Sequence, residues 1–554
     1  MRRTSALLTA AALAAALVGA WAQPGAAVTA AGPSRQAAAA PDRVVIVVVD
    51  GLSRQIVRRY HMSNVQRLMR GGVDAPHAYV GHVGAVTVVT HNVLTSGQLP
   101  KHMGWTDEGY RDVDGVLTDS APDPSNRLWV TSDLESDQMF ALQEHAGYPK
   151  LADYLHAKRP GSKVFTVSPK TYAAWGLGGT GSDSIVTFSG RDYDCDGDGE
   201  PNWRGPDGVH VPRYLSSPEC GRWYVDSDPA LTYDTDRSPA RLYPLDGNRY
   251  TVGLDPLHQG GDVWATDAAL KIMERERNWS GIFVTLPGVD KAAHMWGAID
   301  DPGGPVPMTH MPRATKVADQ QVGRIIGQLR DLHQLDNTLV VLTADHGFLP
   351  GRHFHGVDDG APDRGYYNWY YGATSNGDYL DPQPALRPLI ATGNVAFTYS
   401  DSMVRAWLKS RTPDKKAQAA RIMARLPDSS ATWVRVGDHF RLASRVRWDR
   451  MGPAEARWFR KHAHELVNTS AAPYGPDVIT TLLDNTTYSV AGDHGGIQRT
   501  VQRIPIVFAG DSLSRRDLRA PVRSVDIMPT ILRELRIPVT HPMDGHAYPL
   551  PHRG

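Results

Sequence analysis

Several apolar runs along this chain stop in the same way. Val44-Val45-Ile46-Val47-Val48-Val49 ends in Asp50-Gly51, and Leu339-Val340-Val341-Leu342-Thr343-Ala344 ends in Asp345-His346-Gly347. Ile282-Phe283-Val284-Thr285-Leu286 leads through Pro287-Gly288 to Asp290, with His294 one helical turn later, and Val490-Ala491-Gly492-Asp493 carries His494 into a pair of glycines. A continuous apolar run bounded by glycine reads as a strand buried on both faces. Between such runs lie helix-period segments, among them 315–333 with Val317, Val322, Ile325, Ile326 and Leu329 on one side. Strands alternating with helices predict an α/β fold, a mostly parallel central sheet with helices on both faces. The carboxyl ends of strands in such a sheet open into the crevice where ligands bind. The Asp and His residues are therefore expected at that edge.

Two stretches break the pattern. Residues 105–260, rich in Gly, Pro, Asp and aromatics, read as an insertion, and 396–475 reads as a small α+β cap, with helices at 401–410, 414–425 and 453–467 and strands at 432–436 and 439–442. Residues 53–71 read as a short helical connection. A helix beginning near Thr87 and stopped by Gly97 would present backbone N–H groups and its positive end to an anion. On residue chemistry alone Thr87 reads as that helix's N-cap.

Composition narrows the classes. Across 554 residues Lys+Arg and Asp+Glu are equal at 59 each, so bulk charge favours no nucleic acid. Arg2-Arg3, the apolar segment from Ala6 to Val18 and Ala20-Trp21-Ala22 make residues 1–22 a secretion signal, with an uncleaved anchor as the rival reading. Residues 23–41 read as a disordered leader, and no later stretch is long and apolar enough to span a bilayer. In a secreted chain Cys195 and Cys220 are expected to pair, worth roughly 3–4 kcal/mol by loop closure, against two buried thiols. Asp192, Asp194, Asp196 and Asp198 alternate as in a calcium loop, but Trp203 or Gly205 falls where the closing Glu belongs, so structural calcium and a solvated acidic turn both stand.

The motifs taken in order carry a resemblance. Asp50 after a first strand, Thr87 ten positions before Gly97 of Ser96-Gly97-Gln98-Leu99-Pro100, Asp290-x-x-x-His294, Asp345-His346-Gly347 and Asp493-His494-Gly495 together resemble the alkaline phosphatase superfamily. Within it they resemble the nucleotide pyrophosphatase/phosphodiesterase branch, over about 42–550. Arg523 to Leu532, followed by Asp544-Gly545, resembles the superfamily's closing helix and tail. The resemblance implies two zinc ions, one held by Asp50, Thr87, Asp345 and His346 and the other by Asp290, His294 and His494. It also implies Thr87 as nucleophile and a small phosphodiester or pyrophosphate as substrate. Imidazole nitrogen mixed with carboxylate oxygen suits zinc on ligand chemistry as well. A phosphomonoesterase of the same fold is the near alternative, and a non-catalytic secreted metal-binding protein the distant one. Sulfatases of the superfamily need a convertible Cys or Ser, which Thr87 is not.

Some residues depart from the family pattern. Val88-Val89-Thr90 follows the expected nucleophile, and Thr106-Asp107-Glu108 stands where the branch commonly places a phosphate-contacting Asn. An acidic group there would repel a phosphate dianion, meet a cationic leaving group, or point to solvent. His353 and His355 read as loop histidines or leaving-group contacts. Trp105, Trp129, Trp175, Trp203 and Trp223 read as core, or as a substrate wall.

Overall fold

The computed structural model describes residues 41–117, 127–187, 214–215, 261–299, 310–351, 353–354, 384–488 and 492–553. The Val-rich run forms β1 (Arg43–Val49), in which every residue from Val44 to Val49 is buried. β-Branched side chains fit the pleat, and each one buried contributes about 1.5–3 kcal/mol. The following strands are β2 (Val73–Asp74), β3 (Lys163–Val167), β4 (Ser184–Val186), β5 (Trp279–Leu286) and β6 (Thr338–Thr343). A second group is β7 (Val395–Ser400), β8 (Met403–Leu408), β9 (Ser429–Val436), β10 (His439–Leu442) and β11 (Val478–Leu482), and the chain closes with β12 (Ile506–Ala509) and β13 (Arg516–Asp517).

Eight strands form the central sheet, in the order β13-β2-β12-β6-β1-β5-β3-β4. The five from β6 to β4 pair in parallel, and β12 runs antiparallel to both β6 and β2. The expected mostly parallel sheet is therefore mixed at one side. Around it lie α1 (Thr87–Ser96), α2 (Thr171–Gly178), α3 (Asp262–Arg275), α4 (Gly288–Trp296), α5 (His310–Asp331) and, near the end, α8 (Ile527–Glu534), with α6 (Pro413–Met423) and α7 (Pro453–Asn468) belonging to the second group. The largest apolar cluster joins β1, β5 and β6 to Trp264, Met311, Val322 and Ile531.

The second group is a separate five-stranded antiparallel sheet, β7-β8-β11-β9-β10. α7 packs Phe459, Ala463 and Leu466 against Trp433 and Ile479, while α6 packs Ala420 and Met423 against Val404 and Val478. Two expectations are corrected here. Residues 401–410 form no helix; they contain β8, whose six residues are all buried, so no polar face marks its period. The stretch 105–260 is not wholly an insertion, because it supplies β3 and β4 of the central sheet. The connection 53–71 is two helices, Arg54–Arg59 and Ser63–Gly71.

Candidate metal centre

Parallel pairing brings three carboxylates to one level. Val49 of β1 lies opposite Leu286 of β5, and Val48 lies opposite Thr343 of β6. Asp50 is the next residue after β1, Asp345 follows β6 by two, and Asp290 sits in the first turn of α4 just beyond β5. His294 is one turn along α4 from Asp290, and the two share a face, as an i, i+4 pair must. Gly51 turns the chain away at φ 75° and lies against the Phe348 ring and Asp290, where any Cβ would collide.

Each carboxylate has one oxygen held by the protein and one left over. Asp345 Oδ1 accepts from the backbone N–H of Gly51 at 3.0 Å and of His346 at 2.9 Å. Lys170 Nζ donates to Asp50 Oδ2 at 2.7 Å and to Asp290 Oδ2 at 2.6 Å. Asp50 Oδ1, Asp290 Oδ1 and Asp345 Oδ2 are buried with no hydrogen-bond partner. A buried, unmatched carboxylate oxygen is costly, and a cation is the natural complement of three of them.

The histidines are prepared in the same sense. Nδ1 of His346 faces the Gly347 carbonyl at 3.1 Å, that of His294 faces Gly492 at 3.2 Å, and that of His494 faces Ala85 at 3.1 Å. A carbonyl oxygen only accepts, so each Nδ1 carries a proton and each ring turns its Nε2 inward. Nε2 of His494 and His294 lie 3.1 Å apart, and His294 Nε2 is 3.3 Å from Asp290 Oδ1. His346 Nε2 is 3.5 Å from Asp50 Oδ1 and 3.3 Å from Asp345 Oδ2. Two groups could each hold a metal, Asp290-His294-His494 and Asp50-Asp290-His346, with Asp290 common to both. The donor set and its orphaned oxygens fit divalent metal.

Thr87 faces these groups. Its Oγ1 lies 3.3 Å from His346 Nε2 and it is 4% exposed. It is not the N-cap; Val86 takes that place, and Thr87 is the first residue of α1 with its hydroxyl free of capping. All ten residues of α1 are buried, and Gly97 ends the helix in the left-handed region at φ 66°. Thr90, three residues on, turns to His82 instead, at 3.4 Å. The loop bearing His494 is pinned before α1 by Gly495 N–H to Ala85 O and Gly496 N–H to Val83 O. Gly492 lets it approach α4, where a Cβ would fall 1.8 Å from the Ala293 carbonyl.

Electrostatics separate the three acids. Burial drives the Asp50 carboxyl well above its ordinary value, reinforced by Asp290 and Asp345. Burial also opposes ionisation of Asp290, but Lys170, His294 and His346 outweigh it and hold that group well below the carboxylate range. Burial and the neighbouring imidazoles push His494 well below its usual value, which keeps it a neutral ligand. Lys170 was not anticipated from the sequence. Its signal was there: Val164 to Val167 is one more apolar run, and it ends in Ser168-Pro169-Lys170. His91 was missed too; its Nδ1 lies 3.5 Å from Asp345 Oδ2 and its Nε2 meets Thr285 at 3.0 Å. Phe348 sets its ring edge-on to His294, His346 and His494 at 4.9, 5.4 and 5.1 Å.

Of the acidic pair after Thr106, Asp107 does not point to solvent and Glu108 is partly buried. Asp107 is fully buried and takes both Nε and Nη2 of Arg405, at 2.5 and 2.9 Å. Glu108 accepts from Ser132 at 3.1 Å, and burial pushes its carboxyl up to about 7. Trp105 and Trp129 are core residues in the cluster around α1, with Trp175 packed against it. His353 pairs with Thr486 in a two-residue strand. Its side chain, His355, Trp203, Trp223, the acidic run Asp192 to Asp198, both cysteines, the secretion signal and the leader as far as residue 40 lie outside the described residues. No helix among the described residues is long and apolar enough to cross a membrane.

The fold has counterparts among known proteins. Alkaline phosphatase PhoD of Zymomonas mobilis subsp. mobilis is 24% identical over 531 residues, covering 90% of this chain and 85% of that protein. Alkaline phosphatase PhoK of Sphingomonas sp. is 27% identical over 166 residues, 28% of this chain and 29% of that protein. The crystal structure of alkaline phosphatase PafA superposes with a TM-score of 0.56 at 14% identity, covering 90% of this chain and 96% of that one. Murine ectonucleotide pyrophosphatase/phosphodiesterase 5 gives 0.51 at 11% identity, covering 91% and 97%. Both share the alkaline phosphatase-like fold. The profile of the type I phosphodiesterase/nucleotide pyrophosphatase family matches residues 44–496, and the chain belongs to that family.

Proposed function

We propose that this chain is a secreted, zinc-dependent hydrolase that cleaves phosphodiester or pyrophosphate bonds of small molecules through a phosphothreonine at Thr87. The observation that carries the reading is the Thr87 hydroxyl facing three buried acids and three inward-turned imidazoles, each acid with an oxygen to spare. Asp50, Thr87, Asp345 and His346 would hold one zinc, and Asp290, His294 and His494 the other. Two divalent cations, when bound, supply the charge that lets a hydroxyl act as an alkoxide and that offsets the charge on the phosphoryl oxygens. The Thr87 oxygen forms the new bond to phosphorus as the ester oxygen leaves with the bonding pair. Water then attacks the phosphothreonine, its oxygen bonding to phosphorus as the threonine oxygen departs with the bonding pair and takes up a proton released by the water. Two in-line displacements retain configuration at phosphorus. The α1 N-terminus, where Thr87 sits, adds backbone dipoles that favour an anion. The secretion signal read at 1–22 supports export, on sequence grounds.

A second reading, phosphomonoesterase, is favoured by Lys170. A monoester dianion needs one more cation than a diester, and Lys170 supplies it at 2.6–2.7 Å from Asp50 and Asp290. The two curated relatives are both described as alkaline phosphatases. Hydrolysis of p-nitrophenyl phosphate and bis(p-nitrophenyl) phosphate by zinc-loaded, chelated and reconstituted protein decides. Faster diester turnover supports the first reading and faster monoester turnover the second. Silence on both after reconstitution removes the hydrolase and leaves a metal-binding protein.

A further inference from the structure

Where α7 meets the segment Arg499–Gln502, two adjoining cavities of about 320 and 460 Å³ share Arg499 and Arg503. Arg54, Arg58, Arg457, Lys461, Arg499 and Arg503 all line them. The chain as a whole is neutral, so this charge is local. Asp74 engages Arg54 at 2.6 Å, and Asp484 lies near Arg499. Among the described residues no carboxylate comes within 4.0 Å of Arg58, Arg457, Lys461 or Arg503.

Two buried polar atoms in the groove lack partners. Arg503 spends Nη2 on the Pro76 carbonyl, but its Nε is buried without an acceptor. His462 is 5% exposed and its Nδ1 is likewise unmatched. Trp458 lies against His462 with ring centroids 4.0 Å apart, and Tyr79 stands edge-on to Trp458 at 6.0 Å, so one wall is aromatic. A buried guanidinium N–H without an acceptor, cations with no carboxylate partner and a concave volume of small-molecule size call for an anion with several oxygens. Phosphate matches the planar fork of arginine two oxygens at a time. The spread of cations over two joined cavities calls for more than one such group.

We propose that this groove binds a small anion carrying two or more phosphate groups, at a site separate from the metal centre. The proposal stands independently of the hydrolase reading. Calorimetric titration of the zinc-loaded protein with methylenediphosphonate, whose bridge does not hydrolyse, tests it. Arg457 and Lys461 are exposed on α7, so Arg457→Gln/Lys461→Gln should fold normally, as thermal unfolding would verify. The expected result is about tenfold weaker binding in that double variant, a smaller loss in Lys461→Gln, retained binding in Thr87→Ala, and an unchanged rate of chromogenic ester hydrolysis by Lys461→Gln. Binding undiminished in the double variant would assign the anion to the metal centre and overturn the proposal. Sulfate or citrate binding as tightly would overturn its phosphate specificity.

Discussion

Two buried clusters in this molecule have the same make-up, two aspartates bridged by one cation, and opposite use of their oxygens. In Asp107-Arg405-Asp401 every carboxylate oxygen is bonded: Asp107 accepts from Arg405 twice and from Glu108 N–H, and Asp401 from Arg405 and Met403 N–H. In Asp50-Lys170-Asp290 the lysine takes one oxygen of each and the other is left bare. A closed network fixes structure, whereas an open one waits for a further charge. Burial alone does not separate a site from a strut; unmet bonding capacity does.

Four changes sharpen or break that contrast. Thr87→Ala should lower turnover of a chromogenic phosphoester on the order of 10⁴-fold or more, as removal of a nucleophile does, while zinc content by elemental analysis stays near wild type. Near-normal activity would move the nucleophile to another group, Thr90 first. Arg405→Met should cost about 3–5 kcal/mol in denaturant unfolding, because Asp107 and Asp401 are left buried and uncompensated, whereas loss of activity without loss of stability would make the closed cluster functional. Lys170→Met should reduce kcat/KM for a monoester by about 10²-fold and for a diester by less. Equal losses would remove Lys170 as a sensor of substrate charge. The smallest effect belongs to Glu108. Its folded value of about 7 lies above the ordinary 4.5, so the folded state binds the extra proton. Its contribution to stability is thus fullest at low pH and declines as pH rises from the ordinary value through about 7. Glu108→Gln should flatten that decline in thermal unfolding followed across the window.

The candidate metal site was legible as a cluster of Asp and His because each of its parts is local. An apolar run, an acid and a glycine occupy under ten residues, and parallel pairing does the rest. Lys170 obeys the same rule, but it lies in 105–260, where an insertion was expected, and its run ends in a base. The cap sheet was read less well. β8 alternates Met403, Arg405 and Trp407 with Val404, Ala406 and Leu408, and all six are buried, so its period of two leaves no polar face. Arg405 inside it looks like a surface charge until the two aspartates that cover it are seen, from Asp107 and from its own hairpin turn. The α1 N-cap was misplaced by one residue, which matters chemically: as cap, Thr87 would have spent its hydroxyl on its own helix.

The pinning of the His494 loop to Val83 and Ala85 spans about three-quarters of the chain's length. A ribosome working from the amino end makes Asp50, Thr87, Asp290, His294, Asp345 and His346 first, and the whole five-stranded cap before the last imidazole appears. The Asp290-His294-His494 group is therefore incomplete on a nascent chain until the carboxyl-terminal segment has folded back, and an ion held by it would enter late.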